Sequence, residues 1–400
     1  MKSYAKTKAG IFSLTLLSMA ALGITPSLGL IMADFPGAGA STVQMLASVP
    51  NLTAIAAAVV VSQIANRTSK KALSLVGAAL VAVGGLLPYL IPGGLAFMLV
   101  CSAILGLGVG LITNLTQLLF TEFLPPEERQ TAMAQNTAFV NIGAMLMTTV
   151  GGQLATGGWR NNYLVYLIAI AVFLAALALI PHDAPAAAQA QGSVQKSHGK
   201  MAKASYVVLA LGILFQIAYN SFPNNIAMHL SAAGLGDSAT AGLVSSVSLL
   251  GGLIAGLVLG KILPYFQKQS FAVAFALIGG SLLGLALIQN LACIYVLSFI
   301  AGASLSVFFS QAPFVLSVIN KPQMIAQAIA FYSIGGSLGG FLSPVVLNLV
   351  SGGVAQTTFL VAGILALLVC TILAVTRFQE HALSASGAAE ATTMDSSEIA

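Results

Sequence analysis

Residues 95–121 read LAFMLVCSAILGLGVGLITNLTQLLFT, a run without one charged side chain. At 1.5 Å of rise per residue, a helix of this length exceeds the roughly 30 Å hydrocarbon core of a bilayer. Its polar residues are Ser, Thr, Asn and Gln, which membrane helices carry where they face protein rather than lipid. The same texture extends in both directions. The 400-residue chain is 58% apolar and 6% charged, has 40 glycines, and has a mean hydropathy of +0.96. Soluble domains carry about 25% charged residues, so composition excludes a soluble globular protein. The apolar runs are unbroken rather than alternating, which excludes an outer-membrane barrel. At about 20 residues per crossing, the apolar content suffices for roughly a dozen spans.

Apolar runs bounded by Gly, Pro or charge predict twelve helices at 10–33, 42–64, 71–91, 95–121, 130–155, 162–181, 205–230, 239–263, 269–289, 292–319, 324–350 and 356–377. The run that follows Lys2, Lys6 and Lys8 reaches about Met32, too long for the apolar core of a signal peptide, so it is expected to remain as the first span. Residues 182–204, rich in Ala, Gln, Ser and Lys, form the one long polar break and divide residues 1–181 from 205–378 as two six-helix bundles; the break is expected to be a cytoplasmic linker. Residues 379–400 are expected to be a disordered tail. With the N-terminus in the cytoplasm, Arg160 alone of the fifteen Lys and Arg residues falls outside. This places both termini and the linker inside, in a multi-pass protein of the cytoplasmic membrane, the inner membrane of a bacterium. Cys101, Cys293 and Cys370 lie within apolar runs and read as packing residues, not as a metal or disulfide framework.

The halves repeat. A shift of 196 residues carries Gly106 onto Gly302, Pro126 onto Pro322, Gly143 onto Gly339, and Tyr163-Leu164-Val165 onto Phe359-Leu360-Val361. A shift of 198 carries Ser48-Val49 onto Ser246-Val247 and Ile64 onto Ile262, while Pro26 and Pro223 are near-equivalents. The expected fold is therefore an all-α polytopic membrane protein, with twelve transmembrane helices in two pseudo-symmetric six-helix halves. Parallel repeats of this kind place a site between the halves near the midplane.

Four loop and helix motifs point the same way. Residues 62–71, Ser-Gln-Ile-Ala-Asn-Arg-Thr-Ser-Lys-Lys, are similar to a Gly-x-Leu-Ala-Asp-Arg-x-Gly-Arg-Lys signature between helices two and three. Leu124-Pro125-Pro126-Glu127-Glu128-Arg129, Gly157-Gly158-Trp159-Arg160 and Gly339-Gly340-Phe341-Leu342-Ser343-Pro344 follow in order and spacing. Over nearly its whole length the chain resembles the major facilitator superfamily. The resemblance implies that fold, transport by alternating access, and a cytoplasmic gate at Asn66, Arg67, Lys70, Lys71 and Arg129. In the signature Asn66 stands where the family has an acid and carries no charge, so a more weakly held gate is expected. Ser102 occupies the position of an Arg found in proton-driven members, and Met147-Thr148 replaces the Gly-Pro pair of drug antiporters. The marks of proton-coupled drug export are thus incomplete.

None of the ten acidic and fifteen basic residues falls near the middle of a predicted span, and such residues mark ion pathways. Recognition then rests on hydrogen bonds, aromatics and shape. Gln216, Tyr219, Asn220 and Pro223 share one face of helix seven; Asn114 and Gln117 share one with Gly110 and Thr113; Ser310, with Gln311 one step round, lies in helix ten. Asn51 shares a face with Gln44 and Ser48, and Asn141 with Thr137 and Thr148. An amide facing lipid costs a few kcal/mol, so these faces should turn inward. Either they line a cavity or they bond helix to helix, and for single Ser or Thr residues the second is the commoner use. The expected substrate-binding residues are Asn51, Asn114, Gln117, Asn141, Gln216, Tyr219, Asn220, Ser310 and Gln311. Pro26 and Pro223 are expected to break their helices where backbone lines a cavity and to act in gating.

The expected function is secondary or facilitative transport of a small organic molecule, with efflux of a neutral or amphipathic compound ahead of uptake of a nutrient or organic anion. A non-transporting receptor lacks an output domain in so short a linker and tail. An enzyme lacks midspan acid–base groups. No Gly-x-x-x-x-Gly-Lys-Ser/Thr motif is present. No cofactor or metal is expected. The expected partners are a small-molecule substrate, the lipid bilayer, and a proton or other coupling ion; nucleic acid is not one, and the expected unit is a monomer.

Overall fold

The computed structural model describes residues 4–65, 68–181 and 201–384. Among these it contains 12 helices long and apolar enough to cross a membrane, and no strand. They are α1 (Ala5–Asp34), α2 (Ala40–Ile64), α3 (Lys70–Leu90), α4 (Leu95–Phe123), α5 (Pro126–Ala155), α6 (Trp159–Leu179), α7 (Lys203–Ala232), α8 (Ser238–Ile262), α9 (Ser270–Leu287), α10 (Leu291–Ile319), α11 (Pro322–Ser351) and α12 (Ala355–Thr376). Each expected span has its helix. The bounds move outward where a cap lies beyond the apolar run: α5 starts at Pro126, a favoured first position, and Asp237 caps α8 by accepting from Thr240 N at 2.9 Å. That bond holds the Asp237 carboxyl below the usual carboxylate range.

Among the described residues two large apolar cores form, mainly one per half, with a smaller cluster around Ala57, Val61, Leu111 and Leu115 in the first half. In the first, Phe12 stacks on Phe139 at 4.3 Å and packs against Phe120. In the second, Phe215 stacks on Phe308 at 4.2 Å, edged by Phe275. The internal repeat is visible in how helices touch. Gly106 of α4 lies against the Pro50 backbone of α2, and Gly302 of α10 lies against the Ser248 backbone of α8. Gly143 of α5 meets the Leu16 backbone, and Gly339 of α11 meets the Ile213 backbone of α7. At each of these contacts a Cβ would fall against main-chain atoms, so the glycines set the interhelical distance.

The α1 span is not one helix. Ala5–Thr15 and Leu28–Asp34 are α-helical, but Ala20–Ser27 is a 3₁₀ segment containing Pro26. Proline lacks the N–H that would reach four residues back. The carbonyl of Leu22 takes Thr25 Oγ1 at 2.8 Å instead. The neighbouring carbonyls of Ala20 and Gly23 accept from Tyr166 Oη at 3.1 Å and Asn162 Nδ2 at 2.9 Å, both on α6. Pro26 is thus a buried bend stapled to its own bundle. Pro223 was also expected to break its helix, yet α7 runs unbroken through it. Side chains back-bond there to nearby carbonyls: Asn220 Nδ2 to Gln216 O at 2.9 Å and Ser221 Oγ to Ala218 O at 2.6 Å.

The helix ends joined by α2–α3, α4–α5, α8–α9 and α10–α11, together with the start of α1 and the end of α12, gather the basic residues. Lys8 pairs with Glu128 at 2.7 Å, Lys70 with Glu122 at 2.9 Å and Lys268 with Glu380 at 2.9 Å. Arg160 lies at the other end, its guanidinium 5.2 Å from the Trp159 ring centre, while Trp159 Nε1 donates to Asp34. Beyond α12, residues 378–384 are helical rather than disordered, because Gln379 is buried and bonds Gln267 O, Ser270 Oγ and the Phe271 N–H at the start of α9. Residues 182–200 of the expected linker and 385–400 of the expected tail lie outside the described residues.

Lys71 is buried, and its Nζ donates to the carbonyls of Leu177 at 2.8 Å and Ile180 at 2.6 Å. These are among the carbonyls a helix end leaves unpaired. Lys71→Met should therefore cost about 2 kcal/mol, read as a melting temperature several degrees lower in detergent. Lys268→Met, whose side chain is 75% exposed, should leave melting within error.

Candidate functional site

Among the described residues, the hydrogen bonds between the halves lie toward one end. On one side of the molecule, α5 crosses α8: Thr148 Oγ1 and Thr149 Oγ1 lie 2.9 and 2.6 Å from Ser246 Oγ, and Gly152 and Gly242 bring the two backbones together. On the other side, α2 crosses α7 and α11. Gln44 Nε2 donates to Asn225 Oδ1 at 2.7 Å, and Gln44 Oε1 accepts from Asn348 Nδ2 at 2.9 Å. Asn348 also donates to Ser41 Oγ at 3.1 Å, and Asn224 to Ser48 Oγ at 3.2 Å. All these residues lie toward the ends of their helices opposite the lysine-rich end. Gln44 is 0% exposed and Asn225 1%, so the amides are bonded to one another without solvent. A buried amide must be paired, and Gln44 pairs both of its functional atoms across the interface. It clamps the first half to two helices of the second.

One turn deeper lies a second amide group. An ideal Cβ on Gly340 of α11 would sit 3.0 Å from Asn51 Nδ2 and 3.4 Å from Asn220 Nδ2. Asn220 Nδ2 lies 3.2 Å from Gln216 Oε1. Amides from α2 and α7 thus converge over a glycine of α11 at the apex of the space between the halves. All three side chains are half-buried. The structure brings together Asn51, Gln216 and Asn220 of the expected binding residues. Thr113, Asn114 and Gln117 share the exposed face of α4, and Ser310 is exposed on α10. Asn114 and Asn141 donate to carbonyls of their own helices, at 2.7 and 2.9 Å, which leaves each Oδ1 free to accept.

Of the six expected positions outside this group, two are packed within the second half. Gln311 is 3% exposed, within the second bundle. One step round α10 from Ser310 is enough to turn it from the open face to the packed one. Tyr219 lies against the second core, parallel to the Phe215 ring at 6.3 Å. Conversely, Asn224, Asn225 and Asn348 were not singled out. The signal was the one that picked Asn220, an amide inside an apolar span.

The expected gating residues fall differently. Asn66 and Arg67 lie outside the described residues. Lys70 and Lys71 make the first-half bonds given above. Arg129 Nη2 donates to Thr121 O at 2.7 Å and Leu124 O at 3.2 Å, closing the α4–α5 turn. Those bonds shape the first bundle, and the bonds that join the halves lie at the opposite end.

The family model of the Major Facilitator Superfamily matches residues 10–263 and 208–394. The chain belongs to the major facilitator superfamily. It is a transporter of that family, not an enzyme. Solved structures agree in fold. A bacterial homologue of the human lysosomal transporter Spinster, inward-facing and unoccupied, has a TM-score of 0.72 and 14% identity, over 96% of this chain and 99% of that one. The nucleoside transporter NupG has 0.73 and 14%, over 93% and 99%. The xylose transporter XylE from E. coli, inward open, has 0.69 and 15%, over 92% and 95%. A search of curated proteins returned no match. In this superfamily member the midspan regions of the described helices are free of Asp, Glu, Lys, Arg and His.

Proposed function

We propose that this transporter carries a small neutral or amphipathic organic molecule by alternating access, binding it at Asn51, Gln216 and Asn220. The observation that carries the reading is the uncharged amide apex beneath a closed amide clamp. Amide groups offer both donors and acceptors, which suits hydroxyl, amide or ring-nitrogen groups on a substrate without net charge. A charged substrate would find no opposite charge among these residues. The exposed polar residues of α4 and α10 extend the same chemistry toward the open end. Two structural neighbours bear names of uncharged polar solutes, a nucleoside and xylose.

The distribution of Lys and Arg supports a cytoplasmic position for the open end and both termini, in the cytoplasmic membrane. The site is then loaded from the cytoplasm, which fits export; an importer would release there. Cycling would alternate contact at the clamp with contact at the lysine-rich end, where Lys70, Lys71 and Arg129 stand. No carboxylate relay crosses the spans, so any coupling to a proton or other ion runs through peripheral groups or the substrate itself. One chain is sufficient to build the site.

The test is flux in vesicles of known orientation, with a trapped pH dye, across a panel of neutral, cationic and anionic compounds. A neutral compound should move outward from the cytoplasmic side without a matching pH change. Asn220→Ala and Gln216→Ala should each lower its flux about tenfold, the worth of a lost hydrogen bond to a bound ligand, with unchanged melting. Flux of anions alone, or inward accumulation, would sink the reading.

A further inference from the structure

On α10, Gly302 lies against the Ser248 backbone and Ser306 Oγ donates to Gly252 O, so this side of the helix meets α8. Phe308 stacks on Phe215 of α7. Phe309 is 41% exposed and stands edge-on to the Tyr332 ring of α11, at 6.1 Å. It lies three residues from Ser306, less than one helical turn. Phe309 is thus held between α8 and α11. These are two of the helices through which the second half bonds the first, α8 at Ser246 and α11 at Asn348. The exposed face of the ring therefore looks into the space between the halves.

The internal repeat gives this space two unlike walls. The shift of 196 residues lays Thr113 of α4 on Phe309 and Gln117 on Pro313. Thr113 and Gln117 are exposed. The first half thus offers a hydroxyl and an amide where the second offers an aromatic ring and a proline. The ring is also near the amide apex in height. An ideal Cβ on Gly212 of α7 would sit 2.9 Å from Tyr332 Cε2. Gln216 and Asn220 follow one and two turns later, about 6 and 12 Å along the same helix. One small molecule can reach both levels.

We infer that Phe309 determines specificity by stacking a planar aromatic ring of the substrate, while uncharged hydrogen-bonding groups of the same molecule reach Gln216 and Asn220; this rests on those amides being the binding residues proposed above. Aromatic rings attract one another in offset or edge contact beyond the area they bury. A saturated ring of the same size and polarity is then the poorer ligand. Tyr332 holds the Phe309 ring from its other side.

The experiment is flux in vesicles of known orientation with two matched pairs of uncharged solutes, phenyl and cyclohexyl β-glucoside, and uridine and 5,6-dihydrouridine. Within each pair the hydrogen-bonding groups are shared and the ring is planar or puckered. In the wild type the planar member of at least one pair should move about fivefold faster. Phe309→Leu should bring that ratio near one, and Phe309→Trp should keep it. Phe314→Leu should also keep it, because Phe314 is 40% exposed but stands about 140° further round α10. Asn220→Ala should slow both members alike and leave the ratio. Melting curves confirm that each variant is folded. Equal rates within both pairs in the wild type, a ratio kept by Phe309→Leu, or one lost equally in Phe314→Leu would overturn the stacking role and leave the amides in place. Movement of none of the four solutes would overturn both.

Discussion

Gly242→Val is expected to fold, insert and be unable to shut the end of the transporter that is closed here. Gly242 of α8 faces α5 at the crossing of the two halves. An ideal Cβ there would fall against the Thr148 carbonyl and 3.3 Å from Gly152 Cα. These are main-chain atoms of a helix and cannot turn aside as a side chain would. Valine adds two further methyl groups on a stiff χ1. Overpacking of this kind costs about 1–3 kcal/mol, and the cost falls only on the state in which α5 and α8 touch. The population should move toward the opposite state by roughly 10- to 100-fold. Transport should drop with it, because a carrier that cannot revisit one state cannot cycle. Gly280→Val, at a glycine with open space around it, is the matched control and should leave transport intact.

Gln44→Leu should act at the same end by removing attraction. It deletes the bonds to Asn225 and Asn348 and leaves both amides facing an apolar side chain in the closed state. In membrane proteins such bonds are worth about 0.6–2 kcal/mol each. Two of them amount to a shift of about eightfold to several hundredfold toward the state with this end open. Hydrogen exchange reads this without a known substrate. Amides near residues 40–51 and 340–351 should exchange about tenfold faster in Gln44→Leu, while those near the lysine-rich end should not. Gln63→Leu, at an exposed position near the far end of the same helix, should change neither.

The fold was legible because hydropathy and charge act over whole segments. A run such as 95–121 admits one structure in a bilayer, and the lysines sort the ends. The repeat shifts of 196 and 198 residues reappear as matching glycine contacts, Gly106 on Pro50 and Gly302 on Ser248. The site was legible only in part. Periodicity identified the polar faces of α2 and α7, which is why Asn51, Gln216 and Asn220 meet. It did not separate Ser310 from Gln311, since adjacent residues differ by only 100° around a helix and the packing of α10 decides which is covered. Nor did it reveal that Gln44 meets Asn225 and Asn348, because these partners come from three helices far apart in sequence. Pro223 misled for another reason: one missing N–H was expected to open the helix, whereas α7 runs unbroken through it.

The central claim is that Asn220 lies in a space open to one end and sealed at the other by contacts between the halves. Its most direct test is labelling of Asn220→Cys, with Cys101, Cys293 and Cys370 replaced by alanine, using an impermeant thiol reagent added to either face of oriented vesicles. The account predicts labelling from the lysine-rich face in the otherwise unaltered protein, and from the opposite face once Gly242→Val is added. Equal labelling from both faces, or an accessible face unchanged by Gly242→Val, would contradict it.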